Sequence, residues 1–449
     1  MAGVSSGCGK TTVALGIMAA LRQRGNFVQP FKCGPDFIDT TLHTMVTGNT
    51  SWNLDVRMCG KTYVRNLFGQ EATTEGINVI EGVMGLFDGG EASAASLAAL
   101  LSVPVVLVVD ASSAAESIAA IIRGFEEMIS TEKGISGVVL NKVASPRHVE
   151  LIKGAVSRYC CTRIIGAIPR ERAIEIPSRH LGLFMGEEKP LKDLSSLSDI
   201  ICQHLDMDIL VKISKDCKGP GQCPPAFSSS QDNGVKGANV QIGIARDQAF
   251  CFYYEDNLRI FESAGASLVP FSPLKDEGLP RGISGLYLGG GYPELFAEQL
   301  SENKRLRQEI KDLSWTGMPI FAECGGFMYL CRSITDIKGQ DYDMAGVFPA
   351  DARMQKRLAS LGYRDITIDS PCPLGGPGDR LHGHEFHYSV ANFNGPVEKI
   401  FSMNHRGKEG YRIKNTIAGY VHIHFGSTPQ APAQFVNTCQ AMDRNRSCE

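Results

Sequence analysis

A single cysteine, Cys324, separates an apolar run from two glycines in the stretch FAECGGFMYL (321–330). The apolar run before it is typical of a buried strand, and the run after it is typical of a helix. A thiol on such a tight turn could act as a nucleophile, because the positive N-terminus of the helix would lower its pKa. Free cysteine is also among the most buried residue types, so an ordinary core residue is the alternative.

Residues 3–12 read GVSSGCGKTT and have the composition of a phosphate-binding loop. Glycines let the backbone N–H groups of such a loop face a phosphate, a lysine adds positive charge, and a threonine can bind Mg²⁺ where the next helix begins. The spacing from Gly3 to Gly9 is one residue longer than in G-x-x-x-x-G-K-[ST], as in the deviant loops of dethiobiotin synthetase-like and partition-ATPase-like proteins, which this loop resembles. A glycine-rich turn formed by chance is the alternative. The residues expected to bind ATP are Gly7, Gly9, Lys10, Thr11 and Thr12.

Only Met1 and Ala2 precede Gly3, although a loop of this kind normally follows a central strand. The sequence therefore predicts that this strand is missing or that something else takes its place. Without the strand, we expect the loop to be poorly anchored.

Two further stretches place charged side chains next to predicted strand ends. FKCGPDFID (31–39) holds a lysine and two aspartates, and IEGVMGLFD (80–88) holds a glutamate and an aspartate around a glycine loop. Each aspartate alone is more often a helix cap or a solvated loop residue, but two clusters beside a phosphate loop favour a site. Magnesium usually takes one or two carboxylates with phosphates and water. The expected residues are Lys32 as a second cation, Asp36, Asp39 and Asp88 as catalytic carboxylates, and Thr11, Asp39 and Glu81 as magnesium ligands.

Asn141 ends another apolar run, VLNK (139–142), and could read the edge of an adenine base. An asparagine that forms a turn is an equally good explanation. We include Asn141 among the expected ATP-binding residues.

These motifs lie at the ends of segments that alternate between strand-like and helix-like patterns. Near-continuous apolar runs such as Val103–Asp110 are typical of strands buried on both faces of a parallel sheet, and helical stretches such as Thr12–Arg22 separate them. A stretch rich in Pro, Gly and Ser then reads as a linker, after which the alternation starts again. The predicted organisation is a first α/β domain at 1–212, a linker at 213–238 and a second α/β domain at 239–449.

The composition excludes several classes of protein. The chain has 449 residues, of which 45 are basic and 48 acidic, so no nucleic-acid partner is expected. No run of about 18 apolar residues predicts a membrane span, and the first residues lack an apolar signal core. The 14 cysteines form no C-x-x-C pair, which favours reduced thiols in the cytoplasm over disulfides or a structural zinc site.

Five stretches, taken in order, resemble the cobyrinic acid a,c-diamide synthase family. They are GVSSGCGKTT, FKCGPDFIDTTLH, NLD (53–55), EGVMGLFDG and IPSRHLGL (176–183). The resemblance runs through both halves of the chain and implies an ATP- and glutamine-dependent amidotransferase that acts on a corrin ring. The implied fold class is α/β, with an N-terminal P-loop NTPase domain of mostly parallel sheet, dethiobiotin synthetase-like, and a C-terminal class I glutamine amidotransferase-like domain. The domain at 1–212 would be the ATP-binding amide synthetase.

The same resemblance assigns a nucleophile in the second half. Cys324 would attack glutamine, and the stretch GGGYPE (289–294) would stabilise the oxyanion through the backbone N–H groups of Gly290 and Gly291.

The resemblance also indicates a general base in GYVHIHF (419–425). Its Tyr-x-His pattern selects His422, with His424 as the second choice. Many class I glutaminases have a glutamate two residues after the base, but that position is His424, so the third member of the triad is unassigned. GHEFHYS (383–389) would shape the glutamine or tetrapyrrole side, and we expect no metal there.

The implied reaction joins the two halves. The first would bind MgATP and activate a tetrapyrrole acetate carboxylate as an acyl phosphate, and the second would release ammonia from L-glutamine. The expected partners are these small molecules, with no nucleic acid or membrane, and a homodimer is one option for the assembly.

Several alternatives stay open at this point. Relatives of this family act on nickel-sirohydrochlorin or sirohaem-type rings, and a cobyric acid synthase would amidate other side chains with the same architecture. The intact FKCGPDFID stretch favours the a,c enzyme. A partition-type ATPase switch would lack the glutaminase half, so Cys324 with His422 argues against it.

Overall fold

The residues that the computed structural model describes are 1–171, 178–179, 182–183, 194–216, 240–404 and 407–446. The chain forms two compact units, residues 1–226 and 227–449, and each combines helices with sheets. Most of the predicted linker and half of the IPSRHLGL stretch lie outside the described residues. The predicted domain boundaries therefore stay predictions.

The first unit alternates strands with helices, as its sequence pattern predicts. Its strands are β1 (Ala2–Gly3), β2 (Val28–Cys33), β3 (Trp52–Leu54), β4 (Ile77–Glu81), β5 (Val105–Asp110), β6 (Ile135–Val143), β7 (Ile164–Pro169), β8 (Ser178–Arg179) and β9 (Gly182–Leu183). Its helices are α1 (Lys10–Gln23), α2 (Ile38–Thr47), α3 (Val56–Cys59), α4 (Lys61–Glu71), α5 (Ala94–Leu101), α6 (Ile118–Met128), α7 (Pro146–Tyr159), α8 (Leu194–His204) and α9 (Met207–Lys215).

Two groups of parallel strands form the main sheet of this unit. One has the order β3-β2-β4 and the other has the order β1-β5-β6-β7. Every pairing within these groups is parallel. Parallel pairing requires a crossover connection, which explains the helices between successive strands.

The first strand is short but present, which corrects the expectation of a poorly anchored phosphate loop. β1 pairs in parallel with Leu107 and Val108 of β5. On its other side, the Met1 carbonyl accepts a hydrogen bond from the Gly82 N–H at 2.8 Å, and the Met1 amino group donates to the Ile80 carbonyl at 2.8 Å. The two groups of strands therefore meet at β1, and the loop starts from a fixed point.

A cavity of about 370 Å³ lies beside β1. Its walls come from the facing edges of β4 and β5 and from helices α1, α5 and α9, with Ile17, Leu97 and Ile213 among the lining residues. Met1 also lines the cavity, and burial lowers the pKa of its amine to about 6.

The second unit is built on a larger mixed sheet. Its strands are β10 (Val240–Ala245), β11 (Phe250–Phe252), β12 (Ala266–Phe271), β13 (Gly285–Leu288), β14 (Gly290–Gly291), β15 (Ile320–Glu323), β16 (Ser333–Thr335), β17 (Asp341–Asp343), β18 (Ala350–Met354), β19 (Ser360–Ile368), β20 (Arg380–His387), β21 (Ser389–Phe393), β22 (Glu398–Met403), β23 (Gly407–Ile413), β24 (Thr416–Gly419) and β25 (His422–His424). Its helices are α10 (Glu255–Ser263), α11 (Ala297–Glu302), α12 (Lys304–Thr316), α13 (Gly325–Leu330) and α14 (Gln430–Arg446).

Ten strands of this unit form one sheet in the order β12-β10-β13-β15-β24-β23-β22-β19-β20-β25. The pairings from β12 to β24 are parallel, and the remaining pairings are antiparallel. β15 is buried on both faces, because Ile320 and Ala322 belong to one apolar cluster and Phe321 belongs to another. Burial on both faces explains why this strand reads as a continuous apolar run.

Two expectations about the chain as a whole can be compared with the described residues. Among the described helices, none is long and apolar enough to cross a membrane. Eleven cysteines lie in the described part of the chain, and all eleven are free thiols, as the sequence predicts.

Candidate active sites in the two units

The phosphate loop joins β1 to α1 and has the backbone that its glycines predict. Gly7 and Gly9 have φ angles of 77° and 87°, in the left-handed region that favours glycine. The Lys10 ammonium, at the first residue of α1, donates to the Met84 carbonyl at 3.2 Å. This contact ties the loop after β4 to the N-terminus of α1, where a phosphate would be stabilised.

Asn141 packs against this loop. Its Nδ2 donates to the Cys8 carbonyl at 2.9 Å, and its Oδ1 accepts the Lys142 N–H at 3.0 Å. A Cβ added at Gly9 would lie 2.1 Å from that Nδ2, so the loop can approach Asn141 this closely only with glycine. In the structure Asn141 shapes the loop, and its role in reading adenine stays a prediction.

Four of the predicted residues of the first unit come together in one cluster. The Thr11 hydroxyl donates to Glu81 Oε1 at 2.6 Å and lies 3.5 Å from Asp39 Oδ2. The Lys32 ammonium lies 2.5 Å from Asp39 Oδ2 and 3.1 Å from Glu81 Oε1. Lys32 and Glu81 are direct neighbours on the parallel strands β2 and β4, which is why residues so distant in sequence meet at one edge of the sheet.

Two buried carboxyl groups in this cluster, those of Asp39 and Glu81, contact a single ammonium, that of Lys32. Burial, together with the neighbouring charges of Asp36 and Glu81, raises the pKa of Asp39 well above its usual range. Burial alone would also raise the pKa of Glu81. The charge of Lys32 and the hydrogen bond and charge of His43 outweigh burial and hold that pKa far below its usual range. Glu81 is therefore ionised, whereas burial and the neighbouring carboxylates disfavour the charged form of Asp39.

The sequence motifs did not single out His43, which supports Glu81 from the side opposite Thr11. Its Nε2 lies 2.7 Å from Glu81 Oε2, its Nδ1 lies 3.0 Å from the Ser51 hydroxyl, and it is fully buried. His43 stands four residues after Asp39 on α2, so both side chains lie on one face of the helix. That spacing is the sequence signal that could have identified it.

Asp36 and Asp88 shape the loops in which they lie. Oδ1 of Asp36 accepts the N–H groups of Ile38 and Asp39, both at 2.9 Å, where α2 begins. Oδ2 of Asp88 accepts the Gly85 N–H at 2.9 Å. These are the capping and turn contacts that an aspartate favours on its own. Their predicted catalytic roles stay predictions.

In the second unit, Cys324 stands on a strained turn between β15 and α13. Its φ and ψ angles are 46° and −98°, a conformation that residues other than glycine rarely adopt. Its N–H donates to the Gly419 carbonyl at 2.7 Å, and the Gly326 N–H donates to the Gly289 carbonyl at 3.0 Å. Bonds from two neighbouring segments thus hold the turn.

The glycine loop after β13 lies between this turn and His422. A Cβ added at Gly325 would lie 3.0 Å from the Gly291 nitrogen, and a Cβ added at Gly290 would lie 2.3 Å from Cε1 of His422. The predicted nucleophile, oxyanion donors and base therefore meet in one place. This close approach depends on Gly290 and Gly325, because a larger residue at either position would force its neighbours to shift.

The expectation that a helix N-terminus lowers the pKa of Cys324 is wrong for this structure. Burial raises the pKa of the thiol, and the charges of Glu294 and Glu323 add to that effect. The Gly325 N–H opposes it only in part, at the start of a helix of six residues. Burial also lowers the pKa of His422 to about 3. At neutral pH the pair is therefore a neutral thiol and a neutral imidazole.

His424, the second choice for the base, has different surroundings. Its Nδ1 accepts the Gly426 N–H at 3.1 Å, and its Nε2 lies 3.5 Å from Oδ2 of Asp256. Its ring centre lies 4.7 Å from that of Tyr254, and the side chain is fully buried. The geometry therefore favours His422 over His424 as the base.

Two family models match the chain. Residues 1–184 match the CobQ/CobB/MinD/ParA nucleotide binding domain, and residues 241–430 match the CobB/CobQ-like glutamine amidotransferase domain. The first match implies that the protein binds ATP. Together the matches confirm the predicted α/β fold class, with a nucleotide-binding first half and an amidotransferase second half.

Curated relatives match over nearly the whole length of the chain. The cobyrinate a,c-diamide synthase of Caldanaerobacter subterraneus subsp. tengcongensis is 42% identical over 456 residues, which cover 99% of this chain and 98% of that protein. The enzyme of the same name from Listeria monocytogenes serotype 4b is 42% identical, with 95% of each chain covered. The one from Synechococcus sp. is 40% identical, with 98% of each chain covered. These matches confirm the resemblance that the motifs indicate, and the chain belongs to the cobyrinate a,c-diamide synthase family.

Proposed function

We propose that this protein uses ATP and L-glutamine to convert the a and c acetate carboxylates of cobyrinic acid, in the biosynthesis of cobalamin, into amides. It is an ATP-dependent, glutamine-hydrolysing carbon–nitrogen ligase, and its family membership supports this substrate. The observation that carries the proposal is the packing of the glycine loop against His422 on one side and against the Cys324 turn on the other.

Ammonia is released in the second unit. Sγ of Cys324 attacks the side-chain amide carbon of glutamine, and His422 takes the thiol proton as the C–S bond forms. Backbone N–H groups of Gly290 and Gly291 stabilise the negative oxygen that develops. The C–N bond then breaks, and His422 returns the proton to the departing nitrogen, which leaves as ammonia. Water hydrolyses the remaining thioester to glutamate and restores the thiol.

The carboxylate is activated in the first unit. A carboxylate oxygen of the tetrapyrrole attacks the γ-phosphorus of ATP, the bond to the bridging oxygen breaks, and ADP leaves. Ammonia then attacks the carbonyl carbon of the acyl phosphate, and phosphate leaves as the amide forms with loss of a proton. Lys10, at the start of α1, balances the charge of the phosphates, and Lys32 acts from within the carboxylate cluster. Two rounds produce the diamide.

A magnesium ion fits the cluster of the first unit. Thr11, Asp39 and Glu81 place three hard oxygens close together, and these are ligands that magnesium prefers. An added cation would also favour the ionised form of Asp39, which burial and the nearby charges of Asp36 and Glu81 disfavour. These three residues would hold the ion, which would neutralise part of the charge on the transferred phosphate.

The test is to incubate the full-length protein with MgATP, glutamine and a panel of tetrapyrroles, and to follow the mass of each ring. Every carboxylate converted to an amide lowers the mass by about one dalton, so cobyrinic acid should lose about two. A Cys324→Ala variant should lose this activity with glutamine and keep it with ammonium chloride. Unchanged masses on all rings would contradict the proposal.

The same panel separates the alternatives. A shift only on nickel-sirohydrochlorin or a sirohaem-type ring would reassign the substrate, and further amidation of cobyrinic acid a,c-diamide would indicate a cobyric acid synthase. ATP hydrolysis without any mass change would indicate an ATPase switch. We also propose a cytoplasmic location, which the free thiols and the use of ATP support, while a homodimer stays a prediction.

A further inference from the structure

The strand that carries His422 is the last strand of the large sheet. β25 pairs with β20, and Gly383 lies opposite Ile423. Two buried side chains bond to the backbone of Ile423. Oε1 of Glu323 accepts its N–H at 2.7 Å, and Nδ2 of Asn257 donates to its carbonyl at 2.6 Å. Side chains thus make the contacts that another strand would otherwise make.

Glu323 joins the strand of the base to the strand of the nucleophile. It is the last residue of β15, directly before Cys324, and is 2% exposed. Its second carboxylate oxygen accepts the Tyr287 hydroxyl at 2.8 Å. Both oxygens of Glu323 are therefore held in place, and one side chain sets the distance between the Cys324 turn and the strand of His422.

Asn257 completes the fixation of β25. Its Oδ1 accepts the Phe425 N–H at 2.8 Å, while its Nδ2 bonds to Ile423, and the residue is fully buried at the start of α10. Asn257 therefore fixes the end of the strand, and Glu323 fixes its centre.

We propose that Glu323 is a positioning residue of the glutaminase reaction, which places the imidazole of His422 at the Cys324 thiol. The inference rests on the proposed function. The residue two positions after His422 is His424, which faces Asp256, so Glu323 takes over the positioning by acting on the backbone. A displacement of about 1 Å between reacting groups can cost roughly a hundredfold in rate, so this hydrogen bond bears directly on catalysis.

The position of the acceptor oxygen and the chemical type of the side chain can be separated at Glu323. The measurement is glutamine hydrolysis by the full-length protein with MgATP and the accepted tetrapyrrole. Glu323→Gln keeps an acceptor oxygen within reach of the Ile423 N–H, whereas Glu323→Asp keeps the carboxyl group and withdraws it by one methylene. We expect kcat to fall about threefold or less in Glu323→Gln and about tenfold or more in Glu323→Asp, with KM nearly unchanged.

A double-mutant cycle with His422 tests whether Glu323 affects catalysis through His422. If Glu323 acts through His422, the kcat of the Glu323→Asp/His422→Asn double variant should equal that of His422→Asn alone, because residues that act as one unit are not additive. Amidation supported by ammonium chloride should stay at the wild-type rate in all these variants, which shows that the first unit is intact.

Two results would overturn the proposal. The first is a kcat for glutamine hydrolysis that is lower in Glu323→Gln than in Glu323→Asp. The second is a double variant whose kcat lies below that of His422→Asn by the same factor that Glu323→Asp costs in the wild-type protein. Both substitutions change little volume, and thermal unfolding of each variant checks that it folds. A wild-type protein without glutaminase activity would refute the proposed function instead, so the two failures are distinguishable.

Discussion

Nε2 of His43 lies 2.7 Å from Oε2 of Glu81, and both side chains are fully buried. The other oxygen of Glu81 accepts the Thr11 hydroxyl and contacts Lys32. The imidazole therefore fixes the rotation of the carboxylate that faces the phosphate loop, while Ser51 fixes the imidazole. A residue outside the phosphate-binding motif thus sets the geometry of the site.

Replacing His43 by alanine should release Glu81 and weaken the site for magnesium. Support residues behind a metal ligand typically contribute about tenfold or more, so we expect a loss of that size in rate and a higher magnesium concentration at half saturation. The measurement is ADP formation across a magnesium titration with ammonium chloride as nitrogen donor, which bypasses the second unit. Ser51→Ala is the milder control. A wild-type magnesium dependence in His43→Ala would show that Glu81 keeps its orientation alone.

A methyl group at Gly290 should abolish glutamine use. The added Cβ would lie 2.3 Å from Cε1 of His422, so either the base or the glycine loop must move. We expect glutamate release to fall by about a hundredfold or more, the size of a lost oxyanion contact, while amidation with ammonium chloride continues. Gly395→Ala is the matched control, because its nearest neighbouring atom would lie 3.7 Å away. Normal glutaminase activity in Gly290→Ala would mean that the loop and His422 are apart in the working enzyme.

Glu409 should make the second unit less stable as pH rises. Burial, with the charge of Glu385, raises its pKa from 4.5 to about 7, so the folded state holds a proton that the unfolded state has lost between these values. The contribution of this proton to the free energy of unfolding is fully present below pH 4.5 and is lost as pH rises through about 7. The total loss is up to roughly 3 kcal/mol.

Urea unfolding between about pH 5 and pH 8 measures this contribution, with Glu409→Gln for comparison. Oε1 of Glu409 accepts the Tyr420 N–H at 2.5 Å, and a glutamine can keep that bond. The variant should lose less stability over this range than the wild-type protein. It should still lose some, because burial also raises the pKa of Glu323, to about 8. If the free energy of unfolding falls with pH by the same amount in both proteins, Glu409 is not a source of the pH dependence.

An apolar extension ahead of Met1 should stabilise the first unit. The cavity of about 370 Å³ lies between the facing edges of β4 and β5, in line with β1. About four added residues such as Val-Ile-Val-Ile could lengthen β1 there, and filling the cavity should raise Tm by several degrees. A Gly-Ser extension of equal length is the control. Equal melting temperatures for the two extended proteins would show that the cavity does not accept a strand.

Local patterns predicted the segments that carry the chemistry. The stretch FAECGGFMYL predicts a strand, a turn at Cys324 and a helix, and the structure has β15 up to Glu323 and α13 from Gly325. In the same way, the glycines of GVSSGCGKTT predict the phosphate loop, and the amphipathic run after them predicts helix α1. These features depend on residues that are close together in the chain, so the sequence contains them directly.

Contacts between distant segments were not predictable in the same way. Nothing in the motifs indicates that the Glu323 side chain accepts a hydrogen bond from Ile423, or that the Asn257 side chain bonds to the backbone of both Ile423 and Phe425. The glutamate in an otherwise apolar strand is a weak signal in hindsight. The pKa of Cys324 was predicted in the wrong direction, because burial by several segments outweighs the nearby helix.

The sequence by itself determined which residues could act as nucleophile, base, cation and carboxylate, and which elements carry them. Those properties belong to side-chain type and to neighbours along the chain. Only the tertiary structure decided that His422 rather than His424 lies against Gly290, that Asn141 supports the phosphate loop, and that Cys324 is a neutral thiol. The reason is physical, since hydrogen bonds and desolvation are set by whichever groups lie within a few ångströms, and folding brings those groups from distant parts of the chain.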